Sequence, residues 1–90
     1  MKGVSIDQAK EIGKKLGISW KDFDVTQFRK GMEVELEHGT VNPQTNVTND
    51  DLIMTGKIAL AHLNEFSDYY IRLEKMEEEA KRERASKITH

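Results

Sequence analysis

The sequence of 90 residues has no cysteine, one proline and no long apolar run. The absence of cysteine excludes disulfide bonds, thiolate metal ligands and cysteine nucleophiles. A membrane span needs roughly 18 consecutive apolar residues, and a secretion signal needs a basic and then apolar leader. Neither is present, so we expect a cytoplasmic protein with no membrane partner.

Neither sign of charge is in excess, because 14 Lys and Arg face 16 Asp and Glu for a formal net charge of -2. Such a balance gives no general attraction to phosphates, so a nucleic-acid partner is not expected. A chain this short buries only about 60–65% of its unfolded surface, which supports one core. We predict a single helical domain over 1–90, with its core at about 5–80 and a frayed tail at 81–90.

The sequence contains three signals that mark the start of a helix. Three pairs match the capping box that begins a helix, namely Ser5 with Gln8, Asp24 with Gln27, and Thr48 with Asp51. Apolar residues follow each pair at helical spacing, and Gly17 and Gly39 end the first two helices. Gly31 costs about 1 kcal/mol of helix propensity relative to alanine, so it predicts a close helix crossing.

These signals predict an all-α fold, a small bundle of three to four helices with a projecting C-terminal helix. The second long helix should run from about Val25 to His38, after a short turn at Ser19–Asp22. The next, from about Asp50 to Asn64, is apolar around most of its circumference and should be central. Its inward arc is expected to hold Met54, Ile58, Ala61, His62 and Glu65.

Two Glu/His pairs are the candidate metal ligands. Glu35 and His38 are three residues apart on one helix, and His62 and Glu65 are three apart on another. Such pairs on antiparallel helices can hold a divalent transition metal such as Zn²⁺ or Fe²⁺. We favour the alternative that they are structural, with no cofactor, because a buried imidazole needs a partner and Glu65 is one turn from His62.

An interaction function is favoured over an enzymatic one, because no motif places a nucleophile beside an acid or base. The last helix carries a stripe of Tyr69, Tyr70, Leu73 and Met76, which predicts a contact with a protein partner or with a second copy.

A nucleic-acid-binding module is the weaker alternative. Ala9–Ser19 looks like the first helix and turn of a helix-turn-helix. The segment that would read the bases in such a motif, Trp20–Gln27, carries only one basic residue.

Four segments of the chain carry distinctive motifs. They are Phe28–Gly39, which contains Glu-Leu-Glu-His-Gly, then Thr45–Thr48, then Thr55–Phe66, which contains Thr-Gly-Lys-Ile-Ala-Leu-Ala-His-Leu-Asn-Glu, and Tyr69–Tyr70. Together these segments resemble an uncharacterised family of short bacterial and phage proteins. The resemblance runs over about 6–78. It implies one compact unit and a bacterial or phage source, and it carries no activity over to this chain.

Overall fold

The computed structural model describes residues 3–46 and 49–88, which form four α-helices. They are α1 (Ile6–Lys15), α2 (Val25–Glu35), α3 (Leu52–Glu65) and α4 (Tyr69–Ile88), and a single 3-10 turn (Leu36–His38) continues α2. The described residues contain no strand. The predicted all-α fold is therefore confirmed.

The first two helices begin at their predicted capping boxes. The Gln8 backbone N–H donates to Ser5 Oγ at 3.1 Å, and the Ser5 N–H donates to Gln8 Oε1 at 2.9 Å. The pair Asp24 and Gln27 makes the same two bonds at 2.9 and 3.2 Å. Each box satisfies two backbone donors that a helix start leaves free, so the local sequence fixes both starts.

The start of α3 differs from the prediction. Its N-cap is Asp51, whose carboxylate accepts a hydrogen bond from the Met54 N–H at 2.9 Å. The predicted capping box began one turn earlier at Thr48, which lies outside the described residues. An aspartate serves as an N-cap as well as a threonine does, so the sequence offers two starts one turn apart.

The segment Ser19–Asp22 contains no helical turn, and the chain bends at residues 20–23. Trp20 has φ of 61°, a left-handed conformation that bulky residues rarely adopt. This conformation is held by packing, since a Cβ added at Gly13 would lie 2.4 Å from a ring carbon of Trp20. The ring also meets Phe23 and Phe28 edge-on, at centroid distances of 6.2 and 5.7 Å. Aromatic packing against a helical glycine therefore replaces the predicted turn.

The core lies between α1, α2 and α3, with the first turns of α4 closing one side. Its buried apolar residues are Val4, Ala9, Ile12, Phe23, Phe28, Met32, Leu36, Ala59, Leu63 and Tyr70. Phe28 and Met32 have no exposed surface. They lie one turn apart on α2, so this stripe contributes the two largest of the fully buried side chains.

The buried face of α3 is not the predicted one. Its buried residues are Thr55, Gly56, Ala59 and Leu63. Met54, Ala61 and Glu65 of the predicted inward arc are exposed. Because α3 is apolar on nearly every side, hydrophobic spacing does not determine which side faces α1 and α2.

Helix α4 projects from the bundle. Its 20 residues span about 30 Å, and the molecule is 51 Å along its longest axis. The side chains of residues 75–85 are all exposed. The helix continues to Ile88 through the segment predicted to fray, and fraying there stays a prediction. No helix of the described residues combines the length and apolarity that a membrane crossing requires.

Candidate functional site

A buried carboxylate joins α2, α3 and α4. Glu35 of α2 is 6% exposed, and its Oε1 accepts a hydrogen bond of 2.9 Å from the Tyr70 hydroxyl of α4. The same oxygen lies 3.6 Å from Nε2 of His62 on α3. We call these three residues the Glu35 cluster.

The absence of a side chain at Gly31 leaves room for the Tyr70 ring beside Glu35. This glycine precedes Glu35 by one turn of α2, and a Cβ at this position would lie 2.5 Å from the Tyr70 ring. A glycine is required here because the phenol ring passes directly over the helix backbone. This contact confirms the close crossing predicted at Gly31 and identifies Tyr70 as the neighbour.

The environment of the Tyr70 hydroxyl favours its neutral form. Burial raises the pKa of this hydroxyl well above its usual value, and the charge of Glu35 and the hydrogen bond to Glu35 raise it further. Tyr70 is 2% exposed, so the phenol stays a hydrogen-bond donor at neutral pH. The bond satisfies a carboxylate that would otherwise be costly to bury.

His62 occupies the outer end of the Glu35 cluster. Its ring stacks on Tyr69 with a centroid distance of 4.4 Å and an interplanar angle of 6°, and it meets Tyr70 edge-on at 6.2 Å. The His62 side chain is 35% exposed. The imidazole therefore covers the junction of α3 and α4 and remains accessible from solvent.

The structure brings two of the four predicted metal ligands together. Glu35 and His62 are neighbours, whereas Glu65 is exposed, so His62 pairs with Glu35 of α2 in place of Glu65 of its own helix. The side chain of His38 lies outside the described part of the structure. Among the side chains that are described, no three His, Asp or Glu residues lie together in a way that could hold a metal ion. The four-ligand site stays a prediction.

The predicted interaction stripe is largely used within the chain. Tyr70 belongs to the core, and Tyr69 and Leu73 are half-buried against it. Only Met76, at 59% exposure, is free of the bundle. These positions follow a helical period, and that period equally describes a helix that docks on its own bundle.

The Tyr70–Glu35 hydrogen bond was missed from the sequence. One signal could have found it: Glu35 lies beside the apolar stripe of Phe28 and Met32 and therefore needs a donor, and a tyrosine hydroxyl supplies one. Two aromatic residues of the segment Trp20–Gln27 are also used inside the chain, since the rings of Trp20 and Phe23 pack on Phe28.

Comparison with known proteins gives a family and no activity. Residues 9–79 match the model of a family described as a protein of unknown function, DUF5661. No curated protein and no solved structure matches the chain. The match extends over most of the sequence and confirms the resemblance to an uncharacterised family, while the bacterial or phage source stays a prediction. The chain belongs to the DUF5661 family of proteins of unknown function.

Proposed function

We propose that the chain is a non-enzymatic protein-interaction domain that presents the free part of α4 to a helix of a partner protein. The free part, residues 75–85, is called the arm. The observation that carries this proposal is that every described side chain of the arm is exposed, while the first turns of the same helix are packed on the bundle.

The docked turns give the arm a fixed direction. Tyr69, Tyr70 and Leu73 pack against the core, and Lys30 of α2 forms an ion pair with Glu74 of α4. Because these contacts hold the first two turns of α4 on α2 and α3, α4 leaves the bundle as a continuation of an ordered helix. A helix presented in this way avoids part of the ordering cost that a disordered segment incurs on binding.

The chemistry of α4 suits a helical partner. Ile71 and Met76 are 54% and 59% exposed, so they offer apolar side chains at the base of the arm. Acidic residues Glu77–Glu79 come first, and Lys81, Arg82 and Arg84 follow. Apolar contacts flanked by opposite charges supply both affinity and a preferred direction in pairs of helices.

The Glu35 cluster supports a structural role in place of a catalytic one. Its carboxylate already accepts a hydrogen bond from a buried phenol. A general base needs access to a substrate proton, and this carboxylate is 6% exposed. The cluster is therefore best explained as the anchor of α4.

The test combines capture with titration. Proteins retained by the immobilised full chain are identified, purified, and titrated against the parent, the double variant Ile71→Ala/Met76→Ala and the control Val41→Ala. Val41 is 67% exposed in the loop before α3. We expect the double variant to bind at least about tenfold more weakly, since two exposed apolar contacts are removed. The control should bind like the parent.

Two results would contradict this proposal. One is a captured protein that binds the double variant as tightly as the parent. The other is the absence of any retained protein that also binds in the titration with purified components.

A small metal-binding protein is the second candidate function. The favouring observation is the 3.6 Å distance between Glu35 Oε1 and His62 Nε2. Two ligands of one tetrahedral Zn²⁺ lie about 3.3 Å apart, so these atoms need little movement to share an ion. His38, one turn after Glu35 in sequence, would be the third ligand.

Thermal unfolding tests the metal hypothesis. If it holds, Zn²⁺ or Fe²⁺ added to chelator-treated protein should raise the Tm by about 4 °C or more, because a ligand that binds only the folded state stabilises it. His62→Ala should abolish the rise, and Glu77→Gln, an exposed acidic position on the arm, is the control that should retain it. A Tm that no cation moves, or that moves equally in His62→Ala, would count against a metal site.

A further inference from the structure

The break between α3 and α4 interrupts a continuous apolar pattern. Five apolar or aromatic residues follow one another at intervals of four, three, four and three, which is the spacing of one uninterrupted helical stripe, and they are Ala59, Leu63, Phe66, Tyr70 and Leu73. The chain has no glycine and no proline after Gly56, so the two strongest helix breakers are absent from the break. The local sequence therefore allows one helix to run through residues 66–68.

The structure breaks this pattern at Phe66. Its backbone is extended, with φ of -141° and ψ of 115°, and helical structure resumes at Tyr69. Phe66 is 57% exposed, whereas the other four members of the stripe are buried or half-buried. The break thus leaves one large apolar side chain in solvent, and rotation of a few backbone dihedrals would return it to the stripe. We call residues 66–68 the hinge.

The first turns of α4 fit a specific surface of α2 and α3, which we call the seat. Four contacts define it, and they are Tyr70 over Gly31, Tyr70 with Glu35, Tyr69 on His62, and Glu74 with Lys30. The seat thus selects its occupant by a notch, a hydrogen bond, a ring stack and an ion pair. These features specify α4 of this sequence, and the α4 of any copy of the chain meets them equally well.

We propose that the hinge straightens, so that α3 and α4 form one helix over 52–88, and that the released α4 occupies the seat of a second copy while the α4 of that copy occupies the vacated seat. This exchange is a domain swap. Every contact between α4 and the seat is regained between the copies, and a connection of only three residues favours such an exchange. We expect the two hinges to meet near the two-fold axis, where Phe66 of each copy loses its exposure.

Two substitutions at Ser67 test the hinge in opposite directions. Sedimentation equilibrium of the full chain, from about 1 µM to 1 mM, measures the monomer–dimer equilibrium. Ser67→Ala should dimerise about fivefold more tightly than the parent, because alanine favours the continuous helix in both copies. Ser67→Pro should dimerise at least about a hundredfold more weakly, because a proline inside the helix removes a hydrogen bond and clashes with the carbonyl of Leu63.

The proline suits the closed chain. Phe66 already has the extended backbone that a residue before proline prefers, so Ser67→Pro should keep the Tm and the helix content of the parent. The loss of the dimer in this variant would then report on the straight hinge alone.

The ion pair of Lys30 and Glu74 shows whether the dimer is swapped. Lys30→Glu and Glu74→Lys each place like charges between α4 and the seat, in the closed chain and in a homodimer alike. In a swapped heterodimer of the two variants, each α4 meets the opposite charge on the seat of the other copy, so both pairs are attractive. After incubation at low salt, the heterodimer should therefore be at least about tenfold tighter than either homodimer.

Uniform ¹⁵N labelling of one variant lets native mass spectrometry distinguish the heterodimer from the homodimers. The matched control is a mixture of Lys75→Glu and Glu79→Lys, two exposed positions on the arm with the same change in net charge. This mixture should show no preference for the heterodimer. The double variant Lys30→Glu/Glu74→Lys should dimerise like the parent, because its ion pair is reversed and intact.

Three results would overturn the proposal. One is that the parent and Ser67→Ala both stay monomeric up to about 1 mM, and another is a dimer that Ser67→Pro retains. The third is a mixture of Lys30→Glu and Glu74→Lys that shows no preference for the heterodimer, since a dimer formed through an outer surface leaves each α4 on its own seat. Lys30 and Glu74 have side chains 43% and 54% exposed, so both variants are expected to fold, and circular dichroism checks this.

The swap does not rest on the function proposed for the arm. Residues 75–85 lie beyond the seat, so the arm is expected to be exposed in the closed chain and in the dimer. Binding by the arm is tested by the variants at Ile71 and Met76, and none of the results above bears on it.

Discussion

Phe28→Ala should lower the free energy of unfolding by about 3–5 kcal/mol. Phe28 has no exposed surface, lies at the centre of the core, and touches the rings of Trp20 and Phe23. Alanine removes this apolar surface and leaves a cavity that three packed helices cannot close. A small domain has a total stability of about 5–15 kcal/mol, so the loss is a large share of it. Urea unfolding followed by circular dichroism measures the change.

Phe66→Ala is the matched control, because the same ring is removed from a side chain that is 57% exposed. Its effect should stay below about 1 kcal/mol. Equal losses for the two variants would mean that Phe28 does not have the central position described. Trp20, the one tryptophan of the chain, supplies a second probe, since its fluorescence should respond to removal of its Phe28 neighbour and stay constant in Phe66→Ala.

The starts of the first two helices could be predicted from the sequence, whereas the packing between helices could not. Capping depends on residues three apart, and Ser5 with Gln8 or Asp24 with Gln27 contain everything their hydrogen bonds need. Trp20 is different. Its left-handed backbone is unfavourable locally and exists because the ring fits against Gly13, a residue in another element. Local propensities carry no information on such a fit.

Which sides of α3 and α4 are buried could also not be predicted from local sequence. A helical period distinguishes an apolar stripe from a polar one, but α3 is apolar on several sides and its burial is decided by what packs on it. On α4 the residues Tyr69, Tyr70 and Leu73 pack against the chain's own core, and a contact of this stripe with another protein stays a prediction. The candidate site was predicted in the same way: Glu35 and His62 were identified as members of one cluster, while Tyr70 was assigned elsewhere.

The second large effect concerns the anchor of α4. At pH 8, Tyr70→Phe should destabilise the protein by about 1–3 kcal/mol, because the buried Glu35 carboxylate loses its hydrogen-bond donor. Above pH 10 the parent should lose stability more steeply than the variant does. The unfolded chain releases the Tyr70 proton near the ordinary pKa of about 10, whereas burial and the Glu35 charge raise the pKa of this group in the folded chain.

The direction of this pH dependence follows from the difference between the Tyr70 pKa in the unfolded chain and in the folded chain. A raised pKa stabilises the folded state fully below pH 10, and that contribution is lost as the pH rises toward the folded pKa, by about 1.4 kcal/mol per pH unit. Urea unfolding of the parent and of Tyr70→Phe between pH 8 and pH 12 gives two curves, and their difference isolates Tyr70 from the other groups that titrate in this range. The difference should shrink above pH 10 and fall to zero or reverse near pH 12. Curves that stay parallel throughout would show that the hydroxyl is not held protonated by the bundle, and the anchor would then rest on the packing of the Tyr70 ring over Gly31.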